Sequence, residues 1–358
     1  MKEDRKKTIA VFGMDNFSRK QIYPFKMLAR HGYRFDVFTN NQVGGSNENV
    51  NALEDSSSCI ILKKNAIRRF LQIFGYLLVQ RKSIAHAEIY PGGKYAFIYL
   101  VLCKLFGLKT IAVEWGTLID WDILPWLTKI SMRTCYRYAD IVWYREPYMK
   151  EMIERAGSRS SVYIHNAVAA SPQINNSHEK KYTFLWANRL IRHRFSDWFV
   201  DTLSEKVFSK TKNALLGLRW RLNNPLIEEL QDYVISKKLK NLDLYDFINP
   251  GDFYLNSKFF VLPASIVFCN NSLLEAMACG AVPIITDVDG SHMIVDDGVN
   301  GFIAKNTKEG FREAMKKAMH MSANEYTEMS DNAVRKVAQR FSFEERTEKI
   351  LNLYVSLE

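Results

Sequence analysis

Short apolar runs alternate with helical stretches along most of this chain, and that alternation limits the folds it can adopt. Residues 8–13 form an apolar run that ends in a turn, residues 21–31 have helical spacing, and residues 34–39 form a second short run. Apolar runs of this length are typical of strands buried in a parallel sheet. Strands that alternate with helices form right-handed βαβ units, so we predict an α/β protein with doubly wound parallel sheets.

The alternation falls into two blocks on either side of a polar stretch. Residues 169–180 contain a proline and show no periodicity, which is typical of an interdomain linker. We therefore expect two Rossmann-like domains, 1–168 and 181–340. An amphipathic pattern near the end predicts a closing helix within 341–358.

Cysteine usage and hydropathy indicate a globular protein in a reducing compartment. The chain has five cysteines, an odd number, and no CxxC pair, which argues against a disulfide framework or a zinc site. The basic N-terminus carries an apolar run too short for a signal peptide, and we interpret it as the first strand. No stretch reaches the roughly 18 apolar residues needed to span a bilayer. These features predict a cytoplasmic protein without a bound metal.

Positive charge is concentrated in the first half of the chain. The formal net charge is +10, and residues 170 and earlier hold all of the excess, because the later residues carry equal numbers of acidic and basic side chains. Such asymmetry favours an anionic partner, although a solvated basic surface is the alternative. Residues 63–82 read as a basic amphipathic helix, which either lies on an anionic membrane or packs on the sheet. No nucleic-acid-binding motif is present, so nucleic acid is not an expected partner.

Residues 263–303 carry the most informative pattern. Asn270, Asn271 and Ser272 supply side-chain oxygens at a predicted helix start, where free N–H groups also suit a phosphate or sugar hydroxyls. Glu275 is the charged residue of that helix. It either closes a capping box with Ser272 or faces a ligand.

The run LLEAMACGAVPIITDVDG, followed by DDGVNGFI, resembles the nucleotide-sugar-binding segment of the group 1 (family 4-like) GT-B glycosyltransferases. Residues 188–197 resemble a second segment of that family. Gly290 with Ser291 resembles a loop near the donor, although Asp-Gly is also a common turn. The resemblance implies two Rossmann-like domains facing across a cleft, with the last helix crossing back to the N-terminal domain. It also implies that Glu275 binds the donor ribose and that Arg189 and Arg194 hold the diphosphate.

Three positions depart from the family pattern. The family has two glutamates eight positions apart, and Val267 stands at the first. A histidine is usual in the family at the position of Trp115. Glu88 replaces the second histidine of a His-x-His pattern that begins at His86. Nucleotide binding is therefore better supported than the usual chemistry at the sugar.

The resemblance implies a retaining transfer without a protein nucleophile. A carboxylate in the first domain could instead act as general base on an acceptor hydroxyl and invert the anomeric centre. The candidates are Asp15, Glu88 and Glu114. Asp15 could equally cap the following helix, and Glu88 or Glu114 could be paired with a basic side chain.

The expected activity is transfer of a hexose or related sugar from a UDP- or GDP-sugar to a glycan or lipid-linked glycan acceptor. The expected setting is bacterial surface polysaccharide synthesis (lipopolysaccharide or capsule), in the cytoplasm or on the inner face of the cell membrane. No cofactor is expected besides the nucleotide-sugar substrate. The alternative is a catalytically inactive, nucleotide-sugar-binding partner subunit.

Overall fold

The structure is a computed structural model that describes residues 7–14, 19–40, 57–93, 95–169, 173–218, 225–246, 249–268 and 270–357. The chain divides into two compact units. Unit 1 comprises Met1–His165 and Arg346–Glu358, and unit 2 comprises Asn166–Glu345.

Unit 1 is built on a parallel sheet. Its strands in the described residues are β1 (Lys7–Phe12), β2 (Tyr33–Thr39), β3 (Ser57–Ile61), β4 (Ile84–Ile89), β5 (Thr110–Glu114), β6 (Ile141–Tyr144) and β7 (Ser161–Tyr163). They lie in the order β3-β2-β1-β4-β5-β6-β7, and all neighbours run parallel. The helices between them are α1 (Arg19–Ala29), α2 (Ala66–Gln80), α3 (Ala96–Leu105), α4 (Trp126–Tyr138) and α5 (Met149–Arg155), and a 3-10 helix spans Thr117–Ile123.

Unit 2 repeats this plan with a smaller sheet. Its described strands are β8 (Tyr182–Arg189), β9 (Asn213–Leu218), β10 (Leu242–Asp246), β11 (Ser257–Leu262), β12 (Val282–Thr286) and β13 (Phe302–Ala304). They lie in the order β10-β9-β8-β11-β12-β13, again all parallel. The helices are α6 (Ser196–Leu203), α7 (Pro225–Ser236), α8 (Gly251–Leu255), α9 (Asn271–Ala278), α10 (Ser291–Ile294), α11 (Lys308–Met319) and α12 (Ala323–Arg340), with short 3-10 turns at Arg192–Arg194 and Lys206–Phe208.

Each sheet is apolar on both faces, as a doubly wound fold requires. In β8, Phe184 and Trp186 pack into one core of unit 2, whereas Leu185 and Ala187 pack into the core on the opposite face. The side chains of a strand alternate between the two faces of its sheet. A continuous apolar run is therefore needed to fill both layers, and the predicted α/β class with two parallel sheets is confirmed.

The last helix, α13 (Phe343–Val355), completes unit 1. Its side chains Ile350, Leu353 and Tyr354 lie in the same core as Ile9 and Val11 of β1. Residues from the far end of the chain thus cover one face of the first sheet. Among the described residues, no helix combines the length and apolar character that a membrane span requires.

The stretch predicted as a linker, 169–180, packs against unit 2 in its described part. The Asn175 side chain donates to the Leu255 carbonyl at 3.0 Å, and Lys180 Nζ donates to the Gly280 carbonyl at 2.9 Å. The change from unit 1 to unit 2 comes earlier, between His165 and Asn166. The described residues 173–180 thus pack along unit 2, although the polar composition of the stretch is typical of an interdomain linker.

Candidate functional site

The carboxyl edge of β8 and β11 is the place where unit 2 can bind a ligand. These strands are neighbours, and the strand order reverses between them. In open α/β sheets, ligands bind outside the carboxyl ends of the strands at such a switch point. Two segments leave the sheet here: one runs from Asn188 into the Arg192–Arg194 turn, and the other runs from Pro263 to α9.

Hydrogen bonds hold these two segments together. The Asn188 amide nitrogen lies 3.3 Å from the Asn270 side-chain oxygen. The backbone N–H of Ser265 donates to the carbonyl of His193 at 3.0 Å. Residues about eighty positions apart in the chain therefore form one rigid edge. Asn188 is a site residue that sequence reasoning missed, although it stands next to Arg189 at the predicted strand end.

Arg189 and Arg194 bring two positive charges to this edge. Trp186 Nε1 donates to the Arg194 carbonyl at 3.3 Å, which fixes the turn that carries Arg194. Burial and the neighbouring positive charge of Arg189 lower the pKa of the Arg194 guanidinium to about 10. Two like charges held close together repel each other, which is why Arg189 acts on the Arg194 pKa. Guanidinium groups are well suited to phosphate oxygens, so the diphosphate contact predicted for this pair stays a prediction.

The N-terminus of α9 faces the same edge. Asn270 is the N-cap, and its side-chain oxygen accepts from the backbone N–H of Leu273 at 3.1 Å. Asn271 and Ser272 are the first two helical residues, whose N–H groups have no partner within a helix. The three predicted donor-contact residues therefore do form the helix start. Their backbone dipoles favour a negatively charged ligand.

The capping-box alternative for Glu275 is wrong. Ser272 lies inside the helix, and Glu275 is its fifth residue, two positions beyond the place a capping box requires. The helix begins earlier because the Asn270 side chain takes the capping role. Glu275 is partly buried, and burial together with this nearby carboxylate holds the pKa of the Tyr254 hydroxyl well above its usual value.

Residues of β12 and of the turn that follows it stabilise the loop that leads to α9. The Thr286 hydroxyl donates to the Ala264 carbonyl at 2.6 Å and accepts from its N–H at 2.9 Å. Gly290 has φ +88°, and a Cβ there would lie 2.8 Å from the Phe268 Cα. Only glycine allows this close approach without strain. The backbone of Gly290 thus packs directly against the loop before α9.

Two of the three departures from the family pattern, Val267 and Trp115, occupy structural positions. Val267 is 2% exposed and lies in the core of unit 2, so this position offers no group to a ligand. In unit 1, Trp115 packs edge-on against Tyr90 at 5.4 Å between ring centroids, with the Arg346 guanidinium 6.0 Å from its ring. Both side chains pack against the protein itself.

Glu114 is fully buried and fixes the local backbone. It accepts from the N–H groups of Gly116 at 2.9 Å and Leu118 at 3.3 Å, and also from the Tyr136 hydroxyl. These bonds hold the start of the 3-10 helix after β5. These contacts favour a structural role for Glu114.

Glu88 is also buried, on the opposite face of the sheet from Glu114. It accepts from the Tyr354 hydroxyl at 2.6 Å. Burial raises its pKa to about 7, although Tyr354 and the positive charge of Arg346 act in the other direction. Arg346 is thus a basic side chain close enough to Glu88 for its charge to affect the Glu88 pKa. Asp15, the third catalytic candidate, lies outside the described residues.

In the part of the chain that the structure describes, no group of three histidine, cysteine or acidic side chains could hold a metal ion.

Residues 168–336 match the family model described as "Glycosyl transferases group 1". This segment belongs to the group 1 glycosyltransferase family. It covers just under half of the chain and includes all of Arg189, Arg194, Asn270, Asn271, Ser272 and Glu275. The predicted family resemblance is therefore confirmed, and the candidate donor residues lie inside the group 1 domain. No curated protein matches the chain in sequence.

Solved structures share the fold over nearly the full length. A glycosyltransferase from Rickettsia africae aligns with a TM-score of 0.77 at 14% identity, covering 98% of each chain. Anabaena HepE, in complex with UDP and glucose, aligns with a TM-score of 0.76 at 12% identity, covering 98% of this chain and 99% of that chain. A lipopolysaccharide outer core galactosyltransferase aligns at 0.70 and 15% identity, covering 98% of this chain and 99% of that chain. At these identities the similarity establishes the GT-B fold around the group 1 domain.

Proposed function

We propose that this protein transfers a sugar from a nucleotide-diphosphate sugar to an acceptor hydroxyl. The observation that carries the proposal is the pairing of Arg189 and Arg194 beside the N-terminus of α9, at the switch point of unit 2. Two guanidinium groups and a helix N-terminus together match the charge of a diphosphate.

This arrangement fits the chemistry of glycosyl transfer. The nucleoside diphosphate departs with negative charge accumulating on its phosphate oxygens. Fixed cations and N–H groups aimed at that charge stabilise the transition state more than the ground state. Glu275 then binds the ribose hydroxyls, and its carboxylate fixes the nucleoside end of the donor.

UDP-sugars and GDP-sugars are the proposed donors. HepE was solved with UDP and glucose, and it shares the fold of this chain. That likeness supports testing UDP-sugars first. We propose no metal or other cofactor in the transfer.

The proposed acceptor is a glycan or lipid-linked glycan of bacterial surface polysaccharide. The fold shared with a lipopolysaccharide outer core galactosyltransferase supports this choice. We place the reaction in the cytoplasm at the inner face of the cell membrane, where α2 offers a basic amphipathic surface.

The proposed stereochemical course is retention, because neither buried carboxylate is exposed to an acceptor. Glu88 is 1% and Glu114 0% exposed. A general base must come within hydrogen-bond distance of the proton that it removes. Product anomers resolved by NMR test this point: an inverted product would require a general base other than Glu88 and Glu114, and Asp15 is the remaining candidate.

The alternative is a nucleotide-sugar-binding subunit without turnover, and Val267 favours it. A buried valine stands where the family has its first glutamate. Such a protein would bind a donor through Arg189 and Arg194 and leave the sugar unchanged.

A thermal-shift screen of UDP-, GDP-, dTDP- and CMP-sugars, with mass spectrometry of the products, tests the proposal. We expect a UDP- or GDP-sugar to raise the Tm and to be consumed when acceptor is supplied. Glu275→Ala should remove both effects, and Glu309→Ala, an exposed glutamate at the start of α11, should remove neither. Protection without turnover would establish the subunit alternative. The absence of both from the wild type would refute donor binding.

A further inference from the structure

Helix α2 turns apolar side chains away from the protein. Ile73 and Leu77 are buried against the sheet, but Leu71 is 59% exposed and Leu78 is 56% exposed. Ile67, one turn before Leu71, is exposed as well. The helix therefore has two apolar faces, and packing on the sheet accounts for only one of them.

The neighbouring helices extend this surface. On α3, the side chains Phe97, Val101 and Leu105 are spaced by four residues, so they form one exposed stripe. On α4, Trp126 and Ile130 form a second stripe in the same way. All three helices cover the same side of the unit 1 sheet, because their buried residues lie in the two cores of that side.

These stripes belong to one layer of packed helices. The rings of Phe74 and Phe106 meet at 5.2 Å and join α2 to the end of α3. The Ser131 hydroxyl accepts from the backbone N–H of Phe97 at 3.1 Å and joins α4 to α3. We call the exposed side chains of these three helices the outer face. Soluble monomers seldom expose so much contiguous apolar surface without a function.

Basic side chains predominate in the part of the chain that carries α2 and α3, although Lys104 of α3 pairs with Asp140 at 2.6 Å. Between residues 57 and 113 the chain has nine lysines and arginines, and its single acidic residue is Glu88. Glu88 is buried on the other side of the sheet, so it does not balance that charge. An apolar surface edged by basic side chains is complementary to a layer of anionic lipid headgroups.

A cavity of about 640 Å³ lies beside α4, and arginines line it. The Arg133 guanidinium stacks over Trp121 at 5.1 Å, and that of Arg137 over Tyr138 at 5.6 Å. Neither guanidinium has an ion-pair partner within the described part of the chain. Ile130 of the outer face also lines the cavity, so arginine forks and apolar side chains meet at one place.

We propose that the outer face seats the protein on a bilayer containing anionic phospholipid, and that Arg133 and Arg137 bind headgroup phosphates there. Arginine forks match phosphate geometry. The apolar stripes would enter the acyl boundary while the basic residues stay at headgroup level. A second copy of the chain is a poorer occupant, because two such basic surfaces repel each other. The proposed function assigns a membrane contact to α2. This inference rests on that assignment and extends the contact to α3, to α4 and to a site for lipid headgroups.

Cosedimentation with vesicles tests the apolar part. Wild-type protein should bind vesicles of phosphatidylglycerol and phosphatidylcholine and should bind pure phosphatidylcholine at least tenfold more weakly. Leu71→Asn, Leu105→Asn and Trp126→Asn together should lower partitioning by at least about tenfold, because each removes apolar area from the contact. The matched control replaces exposed apolar residues elsewhere: Val207→Asn, Ile235→Asn and Val355→Asn. This control should bind as the wild type does.

Arg133→Ala with Arg137→Ala tests the headgroup site. With roughly 1 kcal/mol per basic residue near an anionic surface, partitioning should fall on the order of 30-fold. The control, Lys206→Ala with Lys210→Ala, removes the same charge from exposed positions of unit 2. If the two double variants lose the same amount, net charge accounts for the effect, and the arginine site is refuted.

Two further results would overturn the proposal. One is unchanged vesicle binding by the apolar triple variant. The other is a wild-type dimer in solution that the triple variant dissociates, since the outer face would then join two copies. Thermal unfolding shows that each variant folds, and protection by UDP should be the same in all of them. A loss of donor binding would therefore contradict the proposed function without contradicting the bilayer contact.

Discussion

The two sheets reverse their strand order in the same way, yet their carboxyl edges differ. In unit 2 the edge between β8 and β11 carries Arg189 and Arg194 and a helix N-terminus. In unit 1, Glu88 near the end of β4 is buried beneath Tyr354 of α13, with Arg346 close by. A switch point provides a place for a ligand, but the side chains around it decide whether that place is open or filled.

The difference also separates two uses of buried charge. The Arg194 guanidinium keeps a like-charged neighbour, and its pKa is lowered. Glu88 has opposite charge and hydroxyl donors around it, and burial still raises its pKa. Under the proposed function a ligand neutralises the charge of the first arrangement, whereas protein side chains surround the charge of the second. Substitutions at the two edges should therefore affect different properties: ligand binding and turnover in unit 2, and stability in unit 1.

The largest expected effect is on turnover, from Arg194→Ala. Removing one group that stabilises developing charge costs roughly 100- to 1000-fold in rate. The steady-state rate of sugar-nucleotide consumption measures it. Arg192→Ala is the matched control, since Arg192 lies in the same turn with its side chain 80% exposed. Equal losses in the two variants would contradict a diphosphate role for Arg194.

Glu88→Gln should change how stability depends on pH. The folded pKa of about 7 lies above the ordinary value of 4.5, so the folded state holds a proton that the unfolded chain has released. The wild-type free energy of unfolding should therefore fall between about pH 4.5 and 7, by up to about 3 kcal/mol from this group. Urea unfolding at pH 5 and pH 7.5 measures the difference. Glu88→Gln should reduce this difference in the free energy of unfolding between the two pH values, and the exposed Glu154→Gln should leave it unchanged. If the difference persists in Glu88→Gln, other titrating groups cause it.

A comparison of Gly290→Ala with Gly298→Ala measures how much the close approach of Gly290 to the Phe268 backbone stabilises the loop before α9. Both glycines have positive φ, but only at Gly290 would a Cβ meet the backbone of Phe268. Each substitution should cost about 1–2 kcal/mol for the left-handed conformation. Gly290→Ala should lose more than Gly298→Ala and should also weaken UDP binding, which calorimetry measures. Equal effects would mean that the loop yields to the added methyl group.

The smallest effect is expected from Tyr136→Phe, on the face of unit 1 opposite Glu88. The substitution removes one donor to the buried Glu114 carboxylate and leaves its two backbone donors in place. The free energy of unfolding should fall by about 1.5 kcal/mol, as for a hydrogen bond to a charged group. Chemical denaturation measures this loss. Unchanged stability with lost turnover would instead make Glu114 a catalytic candidate again.

Most of the candidate site in unit 2 can be predicted from the sequence, because residues that are neighbours in the chain specify each of its elements. The apolar run of β8, the helix after Asn270 and the stop at Gly280 all follow from neighbouring residues. Neighbouring residues do not decide whether Asn270 or Ser272 is the N-cap of α9, because both residue types can cap a helix. The chain path from β11 decides it, and the Asn188 contact fixes that path from 82 positions away.

Elements with weak patterns were missed. The sequence assigns residues 40–58 to a loop, but β3 begins at Ser57 as an edge strand with three of its five residues only partly buried. Strand β13 has three residues, too few for a recognisable period. The burial of Glu88 is likewise invisible in the sequence, because it depends on Tyr354 near the opposite end of the chain.

The contribution of α13 to unit 1 also sets an order for synthesis. Unit 2 is one continuous stretch of chain, whereas unit 1 closes only when Ile350, Leu353 and Tyr354 reach the core that contains Ile9 and Val11. A chain growing on the ribosome thus begins unit 1 first and finishes it last. Until those residues emerge, one apolar face of the first sheet lacks the helix that covers it in the finished protein.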